Sequence, residues 1–296
     1  MPTQPAAGRR FRDALETEQP LQIVGAVTAY CAMMAEQAGF KAIYLSGAGV
    51  ANSSYGLPDL GMTTPNDVAT DIRRITTASS LPLLVDGDTG FGNAFSIARM
   101  IETFVSAGAA AVHLEDQQAA KRCGHRPNKA LVDSSEMADR VFSAARARDE
   151  HDPDFVIMAR TDALASEGMQ ATLARCQAYV EAGADMIFAE AVNEPDQYRE
   201  FTSALDVPVL ANMTEFGQSP LLSINELGEL GIAMVLYPLS AFRAMSQAAE
   251  RVYESIRQQG TQKQVVEIMQ NRERLYEVLG YHEYEQLMDE LIQNSK

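Results

Sequence analysis

Short runs of apolar, β-prone residues recur along the chain, separated by longer segments in which apolar positions follow a helical period. This alternation predicts parallel strands joined by helical crossovers, because parallel neighbours cannot be connected by a tight turn. Four of the runs follow a glycine that can end a helix, at Gly39, Gly108, Gly183 and Gly231, which indicates a weak repeat of βα units. The eight predicted strands are 22–28, 42–47, 83–88, 111–116, 155–162, 186–191, 209–213 and 234–239.

Most of these strands end in polar residues. A doubly wound open sheet also accommodates eight strands, but it does not require polar residues at nearly every strand end. In a (β/α)8 barrel the ends converge on one mouth, where catalytic residues lie. Proximity to solvent would explain any single polar end. Together the polar strand ends predict a TIM-type α/β barrel, with residues 1–296 forming one domain. These polar residues are Ser46, Asp86, Asp88, Glu115, Arg160, Asp162, Glu190, Asn212 and Thr214.

The chain continues beyond the eighth strand for longer than one barrel helix requires. From about residue 240 to residue 296 it is predicted to be amphipathic helix, with apolar positions that include Val265, Leu287, Leu291 and Ile292. Such apolar surface needs a covering, either on its own barrel or on a neighbouring subunit. We therefore expect additional C-terminal helices that pack on, or are exchanged with, a neighbouring subunit of a homo-oligomer.

The composition narrows the possible partners. Lys and Arg number 24 against 40 Asp and Glu, which gives a formal net charge of −16 and disfavours nucleic acid and anionic membrane surfaces as partners. No stretch of about 18 residues lacks charge, so no membrane segment is predicted. Three cysteines at unrelated spacings do not form a disulfide framework. We expect a cytoplasmic protein, in which an anionic ligand would require local positive charge.

Carboxylates at the strand ends suggest a metal site. Asp86 and Asp88 are two residues apart, so strand alternation points both side chains to one face. Glu115 ends the next strand and Asp59 lies in the long loop 50–63, so all four carboxylates can converge above the barrel. The four histidines show no metal-ligand spacing, which disfavours zinc. Oxygen ligands suit Mg²⁺, or Mn²⁺ in its place; the alternative is a set of carboxylates paired with Lys and Arg. No organic cofactor is expected.

A basic loop carries the most reactive thiol. The segment Lys-Arg-Cys-Gly-His-Arg-Pro, residues 121–127, places Cys123 among three permanent positive charges and an imidazole. Nearby cations lower the pKa of a thiol and make it a better proton donor near neutral pH. Cys31 and Cys176 lie in helical segments and are interpreted as small buried hydrophobes. A glycine-containing segment at 90–95 lacks the full dinucleotide-binding pattern and is a weak signal.

These motifs resemble the isocitrate lyase and phosphoenolpyruvate mutase superfamily, and within it the methylisocitrate lyase branch, over nearly the whole chain. The resemblance rests on Tyr-Leu-Ser-Gly at 44–47, Gly-Leu-Pro-Asp-Leu-Gly at 56–61, Leu-Leu-Val-Asp-Gly-Asp at 83–88, Lys-Arg-Cys-Gly-His-Arg-Pro-Asn-Lys at 121–129, Met-Ala-Arg-Thr-Asp at 158–162, Ala-Asn-Met-Thr-Glu-Phe at 211–216 and Leu-Tyr-Pro-Leu-Ser at 236–240. It implies Mg²⁺-dependent cleavage of a small tricarboxylate, 2-methylisocitrate, to pyruvate and succinate in propionate breakdown. A dimer of dimers is also implied.

Two departures and three alternatives accompany this resemblance. Ala48 stands where related sequences often have Gly, and Ala189 stands where they can have Pro, so these departures affect the expected local shape of the pocket and not the expected reaction class. Isocitrate lyases typically carry Lys-Lys-Cys-Gly-His and a longer chain, whereas this chain has Arg122. The alternatives are cleavage of isocitrate, chemistry of the mutase type, which does not need the thiol of Cys123, and a binding protein without catalytic activity.

The resemblance also implies roles for individual residues. Cys123 would protonate the departing carbanion, and Tyr44 or Glu190 would act as the base. Backbone amides at Ser46, Gly47 and Ala48 would bind the carboxylate of the pyruvate half together with Arg160. The residues expected to hold the succinate half are Gly124, His125, Asn212 and Thr214, and Arg122 is also expected to bind substrate. The residues expected to form an apolar pocket for the methyl group are Phe188, Leu236 and Pro238.

Overall fold

The structure is a computed structural model that describes residues 5–122 and 129–294. Its eight strands form a closed barrel in which every neighbouring pair is parallel, from β1 beside β2 round to β8 beside β1. This confirms the predicted TIM-type fold and excludes the open sheet. The strands are β1 (Leu21–Gly25), β2 (Ala42–Leu45), β3 (Leu83–Asp86), β4 (Ala111–Glu115), β5 (Val156–Thr161), β6 (Met186–Ala189), β7 (Val209–Asn212) and β8 (Met234–Tyr237).

The predicted strands start close to the observed ones but extend too far at their carboxyl ends. For β1 the prediction ends at residue 28 and the strand at Gly25; for β3 it ends at residue 88 and the strand at Asp86. Beyond Asp86 the chain turns over the mouth, and Asp88 has a φ of +47°. Two backbone hydrogen bonds to β4 continue there, because the Gly87 amide donates to the His113 carbonyl and the Asp88 carbonyl accepts from the Glu115 amide, each at 2.9 Å. Ser46, Asp88 and Thr214 therefore lie in the turns that follow their strands.

Helices surround the barrel, and several begin at a residue whose side chain accepts a hydrogen bond from an otherwise unpaired backbone amide. Thr64 and Asp67 form a capping box, and Asn93 accepts from two amides of the following turn. The helices are α1 (Ala7–Thr17), α2 (Ala29–Gln37), α3 (Gly47–Gly49) continued by a π turn (Val50–Ser54), α4 (Pro65–Ala78), α5 (Ala94–Ser106), α6 (Ser134–His151), α7 (Leu164–Glu167), α8 (Met169–Glu181), α9 (Pro195–Ala204), α10 (Ile224–Glu229), α11 (Ser240–Gln259), a 3-10 turn (Lys263–Ile268), α12 (Arg272–Leu279) and α13 (Tyr281–Asn294).

Two apolar clusters stabilise this arrangement. One lies between the strands and the surrounding helices, and the other fills the interior of the barrel. Phe11 of α1 belongs to the interior cluster together with Leu21 and Ile23 of β1, so α1 packs against one end of the barrel. Tyr44 and Phe188 belong to the same cluster and lie on the strands that lead to the mouth. The packed interior therefore supports the side chains that face the cleft.

The C-terminal extension is helical, as predicted. α12 contacts α2, where Gln37 Nε2 donates to the carbonyl of Glu277 at 3.4 Å. α13 exposes a stripe of apolar side chains, consisting of Tyr284, Leu287, Met288, Leu291 and Ile292. Within the described part of the chain, no helix combines the length and apolar composition needed to cross a bilayer.

A buried ionic cluster joins the carboxyl ends of β4 and β5. Asp162 accepts from Arg160 Nε at 3.0 Å, from Arg160 Nη2 at 3.2 Å and from Lys129 Nζ at 2.7 Å. Its own backbone amide donates to Asp116 Oδ1 at 2.9 Å. Burial opposes ionisation of Asp162, but Arg160 and Lys129 outweigh it and lower the pKa of Asp162 to about 2. The cluster therefore fixes Arg160 where it enters the mouth.

We predict that Asp162→Asn destabilises the fold by about 3–5 kcal/mol at pH 7, because it leaves Arg160 without its bidentate carboxylate in a buried position. The folded pKa lies below the unfolded value of about 3.9, so the stabilisation is present above about pH 4 and is lost on acidification. In urea unfolding, the difference in the free energy of unfolding between wild type and variant should decrease by roughly 1 kcal/mol from pH 5 to pH 3.

The matched control is Asp196→Asn, which removes an exposed carboxylate paired with Arg199 at 2.6 Å. Its effect should stay within about 0.5 kcal/mol at every pH. The assigned role of Asp162 would be contradicted if Asp162→Asn and Asp196→Asn lowered the free energy of unfolding equally. It would also be contradicted if the loss caused by Asp162→Asn did not depend on pH.

Candidate active site

The carboxyl ends of the strands open onto a cleft of about 550 Å³, a volume that includes the solvent at its mouth. Most of the residues chosen from the sequence line it. They are Tyr44, Ser46, Ala48, Asp59, Asp86, Glu115, Arg122, Arg160, Phe188, Glu190, Asn212, Thr214, Leu236 and Pro238. Lys121, Leu239 and Arg243 also line the cleft, although no role was assigned to them from the sequence. Asp88 lines an adjoining pocket, which it shares with Lys121.

Asp86 is held from several sides. Its carboxylate accepts from the Gly47 amide at 3.0 Å, from the Asp88 amide at 3.0 Å and from Tyr44 Oη at 3.5 Å. The Gly47 amide therefore orients Asp86, which differs from the substrate-binding role expected for it. Burial opposes ionisation of Asp86, but interactions with His113, Lys121 and Arg160 outweigh burial and hold the pKa of Asp86 well below the usual range. Asp86 is thus a fixed negative charge at the mouth.

Lys121 lies between the predicted metal ligands. Its ammonium group pairs with Asp59 Oδ1 at 2.8 Å and with Asp88 Oδ1, and the residue is 5% exposed. Burial lowers the pKa of Lys121, but Asp86, Asp88, Glu115 and Asp59 outweigh it and raise the pKa, so Lys121 stays charged. Within residues 5–122 and 129–294, no group of three or more His, Cys, Asp or Glu is arranged to hold a metal ion by itself.

The carboxylates nevertheless exceed the cations around them. Burial, followed by the charge of Asp86, raises the pKa of Asp88 to about 7, and burial raises the pKa of Glu115 well above its usual value. Glu115 Oε1 is buried and has no hydrogen-bond partner among the described residues. Oxygen donors with an unsatisfied atom and surplus negative charge fit a hard divalent cation that contacts one or two carboxylates and keeps water ligands. Asp86 and Glu115 are the cleft residues that fit such an ion best.

Arg160 occupies the centre of the cleft. Besides Asp162, it lies 3.5 Å from Glu115 Oε2 through Nε and 3.8 Å from Glu190 Oε2 through Nη1. Its guanidinium carbon lies 5.2 Å from the centre of the Phe188 ring. Burial disfavours the charge of Arg160, but Asp162 and Glu190 raise its pKa well above the usual value, so Arg160 is always protonated. A planar guanidinium held in this way can bind a substrate carboxylate through two hydrogen bonds.

Tyr44 and His113 form a neutral pair behind Asp86. Tyr44 Oη lies 2.9 Å from His113 Nε2. Burial raises the pKa of Tyr44 well above its usual value and lowers the pKa of His113 to about 4. The phenol is therefore protonated and the imidazole uncharged at neutral pH. His113 was not among the site residues chosen from the sequence, although strand alternation places it on the same face as Glu115.

The cysteines differ in their surroundings. Cys31 and Cys176 are free and buried, and burial raises the pKa of Cys176 to about 12, which agrees with their interpretation as small core residues. Cys123, Gly124 and His125 lie outside the described residues. The residue that precedes them in the chain is Arg122. Its backbone amide donates to Gln117 Oε1 at 2.9 Å, and its carbonyl accepts from Gln117 Nε2 at 2.9 Å.

Comparison with known proteins identifies the family. A family model described as phosphoenolpyruvate phosphomutase matches residues 11–257. A 2-methylisocitrate lyase of Salmonella typhimurium is 59% identical over 290 residues, which cover 98% of this chain and 98% of that protein. A crystal structure of 2,3-dimethylmalate lyase, described as a member of the PEP mutase/isocitrate lyase superfamily, has a TM-score of 0.89 and 33% identity, and the match covers 96% of this chain and 95% of that one.

A second solved structure, phosphonopyruvate hydrolase in complex with oxalate and Mg²⁺, has a TM-score of 0.83 at 29% identity, with 96% of this chain and 98% of that chain covered. These solved structures share the barrel, and one is named as a lyase whereas the other is named as a hydrolase. Two findings assign the chain to a family. The family model matches more than half of the chain, and the similarity to 2-methylisocitrate lyases extends over nearly its full length. The chain belongs to the PEP mutase/isocitrate lyase superfamily.

Proposed function

We propose that this chain is a cytoplasmic carbon–carbon lyase that cleaves 2-methylisocitrate to pyruvate and succinate during propionate breakdown. The observation that carries the proposal is the cleft itself, where a fixed carboxylate, a clamped guanidinium and an apolar wall face one another. The 59% identity to a 2-methylisocitrate lyase, over 98% of this chain, supports the choice of substrate. The alternative substrate within the family is isocitrate, which lacks the methyl group.

The reaction defines what the side chains must do. The substrate hydroxyl loses its proton, the adjacent carbon–carbon bond breaks, and the C–O bond becomes the carbonyl of pyruvate. The electron pair of the broken bond stays on the succinate carbon, where the neighbouring carboxylate delocalises it until a proton is added. The cleft must therefore bind three carboxylates, accept one proton and donate another.

A divalent cation fits the carboxylate side of the cleft. Asp86 would hold it, with Glu115, Asp88 and Asp59 contributing directly or through water, and with Mg²⁺ preferred and Mn²⁺ as a substitute. When bound, the ion would lower the pKa of the substrate hydroxyl and neutralise surplus negative charge. The presence of Mg²⁺ in the related phosphonopyruvate hydrolase supports this assignment. No organic cofactor is required by the chemistry.

The environment of the two base candidates favours different roles for them. Because burial raises the pKa of Tyr44, its phenol keeps its proton at neutral pH and serves as an orienting donor near Asp86. Glu190 lies 3.2 Å from Asn212 Nδ2 and faces Arg160. We infer that Glu190 accepts the hydroxyl proton, directly or through a water molecule.

The remaining side chains orient the two halves of the substrate. Arg160, with backbone amides at Ser46 and Ala48, binds the carboxylate of the pyruvate half, while Asn212 and Thr214 hold the succinate half. The apolar wall of the cleft accommodates the methyl group and consists of Phe188, Leu236 and Pro238. One methyl group in such a pocket is worth about 1–3 kcal/mol of discrimination, so isocitrate remains a poor substrate rather than an excluded one.

Cys123 is the proposed proton donor to the succinate carbanion, with Gly124 and His125 binding beside it. The described residues on either side of its segment support this role, because Lys121 lines the cleft and Lys129 pairs with Asp162 at 2.7 Å beneath Arg160. Arg122 also lines the cleft. The segment that carries the thiol therefore begins and ends at the mouth.

We further propose that residues 1–296 form one domain whose extension from about residue 240 mediates homo-oligomerisation into a dimer of dimers. The supporting observation is the apolar stripe of α13, in which Leu287 is 53% and Leu291 60% exposed. Exposed apolar residues at helical spacing are typical of a subunit interface. A second copy of the chain would cover them.

The substrate assignment is tested by product analysis on the purified protein. We predict pyruvate and succinate from 2-methylisocitrate, with a kcat/KM roughly 10- to 100-fold above that for isocitrate, whose product would be glyoxylate. EDTA should abolish turnover, and Mg²⁺ should restore it, with Mn²⁺ as a weaker substitute. Circular dichroism in EDTA serves as the folding control. Comparable or greater glyoxylate formation would reverse the assignment of substrate.

The thiol is tested by Cys123→Ser. Loss of a proton donor should lower kcat by about 10²- to 10⁴-fold while KM changes little, because the serine hydroxyl is a far weaker acid. The matched control is Cys31→Ala, which changes a buried thiol away from the cleft and should leave kcat within about twofold. Full activity of Cys123→Ser would favour the mutase type of chemistry, which needs no thiol.

The interface is tested by sedimentation velocity. We predict a tetramer for the wild type and dissociation to smaller species for Leu287→Arg, because a buried charge at a subunit interface is unpaired. The control, Gln286→Arg, adds the same charge at the neighbouring position outside the apolar stripe of α13 and should leave the sedimentation coefficient unchanged. A monomeric wild type, or equal behaviour of the two variants, would exclude α13 as the interface.

A further inference from the structure

Gln117 is a buried polar residue that follows β4 by two positions. It is 1% exposed and is not among the described residues that line the cleft. Its carboxamide makes two hydrogen bonds to the backbone of a single residue. The Arg122 amide donates to Gln117 Oε1, and Gln117 Nε2 donates to the Arg122 carbonyl, both at 2.9 Å. The proposed reaction has not used this side chain.

The backbone of Gln117 is itself fixed from two directions. Arg140 Nη1 donates to the Gln117 carbonyl at 2.9 Å and to the Glu115 carbonyl at 3.2 Å. An antiparallel bridge pairs Gln117 with Leu131. The carboxamide of Gln117 therefore extends from a backbone whose position is set by the end of β4 and by α6, which carries Arg140.

The chemistry of the carboxamide suits this pair of hydrogen bonds. A glutamine side chain presents a donor and an acceptor next to each other, and these match the carbonyl and the amide of one backbone residue. Asparagine carries the same group on a side chain that is one carbon shorter, and ionised glutamate lacks the donor. Together the two bonds fix both the distance and the orientation of the Arg122 backbone relative to the end of β4.

Two consecutive cationic residues are held in different ways at this point. Lys121 is anchored through its side chain, which pairs with Asp59 and Asp88. Arg122 is exposed and lines the cleft, and its backbone is anchored by Gln117. Because a guanidinium lies at the end of a long side chain, the place that it can reach depends on the position of its backbone. Gln117 thus controls where the Arg122 guanidinium meets the cleft.

We propose that Gln117 is a positioning residue, which holds the Arg122 backbone so that the Arg122 guanidinium binds a carboxylate of the substrate. The inference rests on the proposed function, since it takes the ligand to be a tricarboxylate. Gln117 does not touch the substrate and acts through Arg122. Two arginines from neighbouring strand ends, Arg122 after β4 and Arg160 of β5, then bind an anionic substrate in a chain with a net charge of −16.

The test is a double-mutant cycle that compares wild type, Gln117→Met, Arg122→Gln and the variant with both changes. Methionine keeps the length of the glutamine side chain and removes both hydrogen bonds. Each single change should raise the KM for 2-methylisocitrate by roughly 10- to 100-fold, as expected for one charge-assisted contact, while kcat changes by less than about threefold. In the Arg122→Gln background, Gln117→Met should change KM by less than about twofold, because Gln117 acts through Arg122.

The matched control is Gln118→Met at the neighbouring position. Gln118 is exposed and donates to the Leu131 carbonyl at 3.4 Å rather than to Arg122, so its replacement should leave KM within about twofold. Thermal unfolding followed by circular dichroism serves as the folding control. Because Arg122 is exposed, water can satisfy its backbone groups in Gln117→Met, and the Tm should stay close to that of the wild type. If Gln117→Met does not fold, Gln117→Asn, whose carboxamide is too short to reach Arg122, replaces it in the cycle.

Additive effects of the two changes on KM would overturn the inference, since Gln117 would then act independently of Arg122. An unchanged KM in Gln117→Met, a loss of kcat at unchanged KM, or an equal effect in Gln118→Met would overturn it as well. Absence of cleavage by the wild type contradicts the proposed function instead. The same cycle is then measured by calorimetry of succinate binding with Mg²⁺ and pyruvate present, where additive losses of affinity, or a wild type that does not bind succinate, would overturn the role of Gln117.

Discussion

The site depends on two buried cations that are held among a larger number of carboxylates. Lys121 joins Asp59 to Asp88, and Arg160 is clamped by Asp162. Removal of either cation would leave unpaired charges in a medium where their burial is costly. The pairing is still incomplete, because the pKa of Asp88 rises to about 7 and the pKa of Glu115 rises well above its usual value. The mouth is therefore built to receive additional positive charge on the β3–β4 side.

This constraint explains how an acidic protein can act on an acidic substrate. A divalent ion near Asp86 would remove the surplus negative charge and give the hydroxyl end of the substrate a favourable surrounding. Arg160 remains protonated because its carboxylate partners raise its pKa, so it offers a fixed geometry rather than a variable charge. The same ion pairs that stabilise the folded state thus orient the groups that we propose to bind substrate, and binding would require little rearrangement of the β4–β5 side.

Much of the fold could be predicted from the sequence because apolar runs and helical segments alternate strictly, and a closed barrel brings the end of every strand to one mouth. Asp86, Glu115 and Arg160 were found in this way. Lys121 was not assigned a role, because a lysine in a basic loop gives no indication that its ammonium group will be buried between two aspartates. Arg243 gave no local signal either, since it follows β8 within an amphipathic helix. The strand ends were extended too far because turn residues such as Asp88 remain polar and in phase with the strand.

Opposite sides of the barrel mouth carry different types of side chain. The β3–β4 side carries the carboxylates and Lys121, which suit a metal ion and the oxygen of a 2-oxo or 2-hydroxy acid. The β6–β8 side carries Phe188, Asn212, Pro238 and Arg243, which line the cleft opposite those carboxylates. Relatives with the same barrel are named for different activities, and such differences can arise from the second side while the first keeps its chemistry. In the proposed reaction, the apolar wall of Phe188, Leu236 and Pro238 is therefore the part of the second side that would discriminate between substrates that differ by one methyl group.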